Sequence, residues 1–248
     1  MKIKKILISQ PEPENGKSPY LDLAKEIGAE VMFRKFIQME GLSTREFRDQ
    51  RISLADYQAV VFTNRIAIDN YFRLAESTRF EIPIEMRYFC SSEAIANYLQ
   101  KYIVYRKRKI FFSKDGQLQG LLSEMQRYRE GNKFLIPTAE VHTGDLIDMM
   151  KAKEYDFSVA VMYRTVSSDV SSINIEEQNL IAFFSPLGVE SLFHNFPDFK
   201  QEDKIIAVFG KVTETAAVKA GLRIDIMAPN PKAPSMKMAM EQYIKNVM

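Results

Sequence analysis

Ile205-Ile206-Ala207-Val208-Phe209 is an unbroken apolar run, followed at once by Gly210-Lys211-Val212-Thr213. A strand wetted on one face alternates apolar and polar residues. A continuous Ile/Val/Phe run instead marks a strand covered on both faces. The residues beyond Gly210 return to helical spacing, so a buried strand leads through a turn into a helix. That is the building unit of a parallel sheet, because a parallel neighbour is reached only by a crossover.

The same unit recurs along the chain. Further strands are expected at Lys5–Ser9, Val31–Phe36, Ala59–Thr63, Glu85–Phe89, Lys109–Phe112, Lys133–Ile136, Ser158–Tyr163, Leu180–Ser185 and Arg223–Ile226. Between them the spacing predicts helices over Tyr20–Ile27, Arg65–Ala75, Ser91–Tyr98, Gly116–Arg127, Asp145–Lys151, Val189–Asn195, Thr213–Ala220 and Ser235–Val247. The alternation defines an α/β fold with parallel sheets.

Three pairs of segments repeat in a kept order. Phe62-Thr63-Asn64 with Ala67–Phe72 matches Phe184-Ser185-Pro186 with Gly188–Phe193. Ile27–Phe36 matches Tyr155–Val166, and Met86–Ala96 matches Val208–Ala216. A duplicated α/β unit accounts for all three and implies two similar flavodoxin-like lobes around a cleft. The expected crossings between lobes are extended linkers near Lys35–Glu40 and Arg164–Ser168.

Composition narrows the function class. Hydrophobic residues make up 46% and charged residues 27%, which excludes disordered and low-complexity chains. No apolar run approaches the roughly 20 residues of a membrane span. The apolar N-terminal run Ile6-Leu7-Ile8 ends at Ser9-Gln10-Pro11, too short for a signal-peptide core, and reads as a first strand. Cys90 is the only cysteine, so an intrachain disulfide and a cysteine zinc site are both excluded. The two histidines, His142 and His194, are far apart and read as ordinary surface residues. No metal site or cofactor is expected, and a reducing cytoplasm fits this composition. A net charge of +2 does not announce a nucleic-acid protein, yet it leaves room for a local basic pocket. The most basic stretch, Lys101–Lys109, interleaves two tyrosines. It reads as a helix end feeding a strand, with a nucleic-acid patch as the sharper alternative.

The residues able to carry chemistry lie at strand ends. In open parallel sheets, ligands sit beyond the carboxyl ends of the strands. Thr63, Ser185 and Thr213 fall there, at helix starts whose free N–H groups suit carboxylates or phosphates. Two readings stay open for each: a helix cap, for which Ser and Thr are favoured anyway, or a ligand contact. Tyr163 ends its expected strand. It is either an edge residue with a wet tip or a hydroxyl donor and weak general acid in the cleft. Gly210–Thr213 is neither a Walker A loop nor G-x-G-x-x-G; it reads as an anion-facing turn beside Lys211.

Several segments taken in order resemble the uroporphyrinogen-III synthase family. They are Val60-Val61-Phe62-Thr63-Asn64, Val161-Met162-Tyr163-Arg164-Thr165, Phe183-Phe184-Ser185-Pro186-Leu187-Gly188-Val189, Ile206–Thr213 with Ala220-Gly221-Leu222, and Ala228-Pro229-Asn230-Pro231. There are two departures. Ile8-Ser9-Gln10-Pro11 lacks an arginine often found in the family, and Cys90-Ser91-Ser92-Glu93 places Glu93 where a threonine is usual.

The resemblance implies a discontinuous lobe of residues 1–36 and 168–248 and an inserted lobe of residues 40–163. It also implies an enzyme of tetrapyrrole biosynthesis that cyclises hydroxymethylbilane to uroporphyrinogen III with inversion of ring D. The expected partner is a small, carboxylate-rich linear tetrapyrrole. Neither nucleic acid nor membrane is expected as a partner, and the protein is expected to be a monomer. Tyr163 would hydrogen-bond the departing hydroxyl. Thr63, Asn64, Ser185, Leu187, Gly188, Lys211 and Thr213 would bind carboxylates. A non-catalytic two-lobed binder of another anion accounts for the two departures equally well.

Overall fold

The computed structural model describes residues 3–247, which divide into two compact units, one formed by 3–38 with 166–247, the other by 39–165. The chain opens with β1 (Lys5–Ile8), α1 (Pro19–Ile27) and β2 (Glu30–Phe33). It continues through β3 (Ile37–Gly41), α2 (Thr44–Asp49), β4 (Ala59–Phe62), α3 (Arg65–Ser77), β5 (Arg87–Cys90) and α4 (Glu93–Tyr98). Next come β6 (Ile110–Phe112), α5 (Leu118–Gln126), β7 (Phe134–Ala139), α6 (Asp145–Ala152) and β8 (Phe157–Ser167). The chain closes with β9 (Leu180–Phe183), α7 (Pro186–Asn195), β10 (Ile205–Phe209), α8 (Lys211–Lys219), β11 (Ile226–Ala228) and α9 (Met236–Val247).

The five-stranded sheet runs β11-β10-β9-β1-β2, and all its pairings are parallel. The six-stranded sheet runs β3-β8-β7-β4-β5-β6, parallel from β8 to β6. If the first unit is counted from β9, with β1 and β2 as its fourth and fifth strands, its order is 3-2-1-4-5. Counted from β4, the second unit has the same order, with β3 added outside β8. The three sequence repeats therefore fall on equivalent strands: β4 with β9, β5 with β10, and β8 with β2.

Side-chain alternation explains why each sheet is covered on both faces. In the first unit Ile6, Ile8, Ala182 and Ala207 point toward Leu23 of α1 and Met236 and Met240 of α9. Their neighbours Leu7, Ile181, Phe183 and Val208 point the other way, toward Val189 and Leu192 of α7 and Ala217 of α8. In the second unit Val60, Phe62 and Cys90 pack with Ile68 and Tyr71 of α3 and Ala96 of α4. Val61, Phe89 and Ile136 pack with Leu121 of α5 and Met150 of α6. Each such Ile, Leu or Phe contributes about 1.5–3 kcal/mol on full burial, so a one-residue slip of any strand would exchange both layers at large cost. Helix ends follow local chemistry: α1 stops where Gly28 takes a left-handed conformation at φ 68°.

Several expectations need correction. The extended crossings expected near 35–40 and 164–168 contain the divisions between the units, at 38/39 and 165/166, and belong to strands rather than loops. Ile37–Gly41 is a strand, and residues 164–167 extend β8 beside it. β3 carries only two apolar side chains, Ile37 and Met39, so no apolar run marks it, and α2, capped by Ser43 and Glu46, is too short to show a helical period. The strand expected over Arg223–Ile226 begins only at Ile226. Before it, Arg223 and Asp225 are tied to each other, and Asp225 accepts the backbone N–H of Ile206 at 2.9 Å. Helix α8 begins at Lys211 rather than Thr213.

Candidate active site

In the second unit, the chain leaves β4 toward β5 on one side and later returns as β7 on the other. The carboxyl ends of β4 and β7 therefore form the topological switch point, where crossovers diverge and leave a crevice. A cavity of about 410 Å³ lies there. Thr63 and Asn64 enter it from β4, Ser91 from β5, Thr138 and Ala139 from β7, Tyr163 from β8, and His142 from the loop before α6.

Asn64 caps α3: its Oδ1 accepts the Ala67 N–H at 2.8 Å, while its Nδ2 donates to the Tyr163 hydroxyl oxygen at 2.9 Å. Such a cap is worth about 1 kcal/mol. Tyr163 is only 3% exposed, with its ring in the layer that holds Phe62 and Met162 and its hydroxyl toward the cavity. Burial pushes the phenol pKa up, and the Asn64 hydrogen bond only partly opposes this. The hydroxyl therefore stays protonated at neutral pH and is able to donate. Just beyond it, Arg164 reaches Glu40 and Glu46, both at 2.7 Å. Glu46 also accepts from the Ser43 hydroxyl at 2.6 Å and the Ser43 N–H at 2.8 Å. The two Ser43 bonds, followed by Arg164, hold the Glu46 carboxyl down at about 2.

The first unit carries its candidates on two helix starts. Ser185 caps α7 by accepting the Gly188 N–H at 3.1 Å, and Leu187 lies between them in the same turn. The Gly188 N–H is therefore already engaged. A Cβ at Gly188 would come within 3.3 Å of the Ser185 Oγ, a tight contact that would press on the cap hydroxyl. Lys211 opens α8 with its side chain 81% exposed, paired to Glu214. Thr213 is buried as the third residue of α8 and does not cap it. The cap position is Gly210, at φ 86°. Helices α7 and α8 pack side by side, which brings Lys211 near Pro186.

Two sequence readings change. Tyr163 does not end its strand, because β8 continues to Ser167; it stands opposite Ala139, the last residue of β7. Thr63 precedes the cap, and Asn64 is the cap itself. Sequence reasoning missed Ser91, Thr138 and His142. The strand expected over Lys133–Ile136 stops just before Pro137, a residue type that removes a ladder donor. Yet β7 pairs with β4 only at Phe134 and Leu135, so Pro137 lies beyond that ladder. His142, read as a surface residue, is exposed on the cavity lip, its Nδ1 3.0 Å from the Ala139 carbonyl oxygen.

In the basic stretch, Tyr102 stacks on Phe72 at 4.4 Å, Lys101 pairs with Asp69 at 2.9 Å, and Lys109 pairs with Glu85. Glu93, one of the two departures, is the first residue of α4 behind the cap Ser92. Among the described residues no helix is long and apolar enough to cross a membrane. No cluster of three or more His, Cys, Asp or Glu side chains there could hold a metal ion.

Comparison with known proteins gives the family. The family model described as Uroporphyrinogen-III synthase HemD matches residues 18–237. No curated protein matches the chain. Among solved structures, it is similar to uroporphyrinogen-III synthetase from Helicobacter pylori 26695. The two share 15% identity over 98% of this chain and 100% of that one, with a TM-score of 0.49. It is also similar to a mutant uroporphyrinogen III synthase from the extremely thermophilic bacterium Thermus thermophilus, at 13% identity over 98% and 99% of the two chains and a TM-score of 0.45. The family match spans most of the length, and the chain belongs to the uroporphyrinogen-III synthase family.

Proposed function

We propose that, in cyclising hydroxymethylbilane to uroporphyrinogen III, this protein uses Tyr163 as the hydrogen-bond donor to the departing hydroxyl. The observation that carries this is a protonated phenol whose oxygen is held by Asn64 in a cavity at a sheet switch point. Departure of the hydroxyl is chemically easy, because the pyrrole nitrogen expels it. What remains is to stabilise the leaving oxygen and hold the chain so that the substituted ring carbon attacks. Attack there gives a spiro intermediate whose reopening and rejoining invert ring D. Simple closure would give the type I isomer, so selectivity rests on positioning.

Thr63, Asn64, Ser185, Leu187, Gly188, Lys211 and Thr213 form the set proposed to meet the substrate carboxylates. Within that set, Lys211 supplies a mobile cation and the helix starts of α3 and α7 supply partial positive charge. The engaged N–H of Gly188, the burial of Thr213 and the two hydrogen bonds that occupy the Asn64 amide leave Thr63, Ser185, Leu187 and Lys211 as the principal contacts. This reading takes the protein as a cytoplasmic monomer acting on a free small molecule, without nucleic acid, metal or other cofactor. The buried thiol of Cys90, its pKa raised to about 12 by burial, is unreactive and suits that compartment. The test is a coupled assay with freshly generated hydroxymethylbilane that resolves type I from type III product. Enzyme-dependent type III formation supports the reading, and type I alone refutes it.

A further inference from the structure

The cap of α3 does more than start a helix. Its amide orientation is forced: Oδ1 must face the Ala67 N–H at 2.8 Å, because an NH₂ group there would oppose donor to donor. Nδ2 is thereby aimed at Tyr163, and the phenol oxygen at 2.9 Å accepts from it. The phenol's own proton has one described partner, the same Oδ1, at 3.2 Å. That bond is long, and its acceptor is already shared with Ala67. The proton is therefore weakly held and free to turn to a better acceptor in the cavity.

We infer that Asn64 is a positioning residue: it donates to the Tyr163 oxygen, fixes the ring's tip, and leaves the phenol proton for the departing substrate hydroxyl. The inference rests on the donor role proposed for Tyr163. It also explains why capping alone does not account for this residue. Aspartate and serine cap a helix as well as asparagine does. Aspartate, however, would accept the phenol proton instead of donating to the oxygen, and serine offers no amide for the second bond.

The experiment compares Asn64→Asp, Asn64→Ser, Tyr163→Phe and the double variant Asn64→Asp/Tyr163→Phe, measuring melting temperature, kcat and KM for type III product. Both Asn64 variants should melt within a few degrees of the wild type, because the cap survives. Their kcat should fall about tenfold or more, with KM changed about twofold or less. The double variant should be no slower than Tyr163→Phe, because both changes act through one proton. Asn64→Asp should also gain a limb in its pH profile. Turnover should rise as pH falls through the aspartate pKa, where a protonated carboxyl can again donate. His142 and Tyr163 are the other titratable groups lining the cavity and are present in the wild type, whose profile subtracts them. A folded Asn64→Asp or Asn64→Ser with wild-type kcat overturns the inference, as does a double variant slowed by the product of the two single effects. If Asn64→Asp fails to fold, Asn64→Ser decides by the same criterion. Wild-type turnover in Tyr163→Phe would instead remove the donor role beneath it, so the two failures are distinct.

Discussion

The starts of α3 and α7 are the same construction at equivalent places, and they differ in one respect. Each follows the first strand of its unit, β4 or β9, and each is capped by a polar side chain that takes the N–H three residues on. Ser185 has no further described partner beyond Gly188. Asn64 turns its second group to a phenol oxygen on β8. In the first unit the stretch matching β8 ends in Phe36, which is fully buried and meets Phe183 edge-on at 5.9 Å. The second unit thus places a hydroxyl at its switch point, while in the first unit the segment just beyond β2 turns a phenyl ring into the core. Both units present a capped helix start at the end of a buried strand, and among the described residues only the one at Asn64 has a phenol hydroxyl bonded to its cap.

The largest expected effect follows from removing that hydroxyl. Tyr163→Phe should lower kcat roughly tenfold to a thousandfold with a smaller change in KM, while stability shifts by about 1 kcal/mol or less. Type III assays and melting curves on one preparation check both halves. Unchanged turnover would erase the difference drawn between the units. Next in size is Lys211→Ala in the first unit. It should raise KM by about two- to tenfold and leave kcat nearly unchanged, since an exposed cation binds substrate and transition state alike. Steady-state kinetics would break the comparison if kcat fell as far as in Tyr163→Phe.

Ser185→Ala should cost about 1 kcal/mol through the lost cap, with kcat per folded molecule close to wild type and a KM raised about twofold or less. Urea unfolding alongside activity measures this; a matched loss of kcat would make the two caps equivalent. The smallest effect concerns the brace behind Tyr163. The folded-state pKa of Glu46 lies at about 2, below an ordinary value of 4.5. Its bonds to Ser43 and Arg164 therefore contribute stability that is present above about pH 4.5 and lost as pH falls toward 2. Glu46→Gln should flatten the melting-temperature profile in that window and leave it unaltered at neutral pH relative to its own plateau. Because these groups are exposed, the change should be small.

Most of the architecture was legible because apolar runs leave little choice. Ile205–Phe209 can only be a doubly covered strand, and the observed bounds are those same residues. The repeats were legible for a related reason: equivalent strands meet equivalent helix layers and so keep the same pattern of Phe, hydroxyl and small residues. What escaped were elements stabilised by partners rather than by their own pattern. β3 is polar at alternate positions and stands as a strand because β8 is beside it; α2 stands on its capping box and on Phe47 in the core.

The site divides along the same line. The sequence by itself determined an α/β chain with parallel sheets, hydroxyl and amide residues at the ends of its buried strands, and the family to which those segments belong. Each of these follows from local pattern, which survives without knowledge of neighbours. Only the tertiary structure decided which of those residues stand together and which are already engaged. Thr213 sank into α8, and Gly188 spent its N–H on Ser185. Asn64 and Tyr163, 99 residues apart, came within one hydrogen bond of each other. That last pairing depends on strand order: β4 and β8 flank β7, so Asn64 at the end of β4 and Tyr163 on β8 reach the rim of one cavity. Strand order is a property of how crossovers pack. It is invisible to any single segment of the sequence.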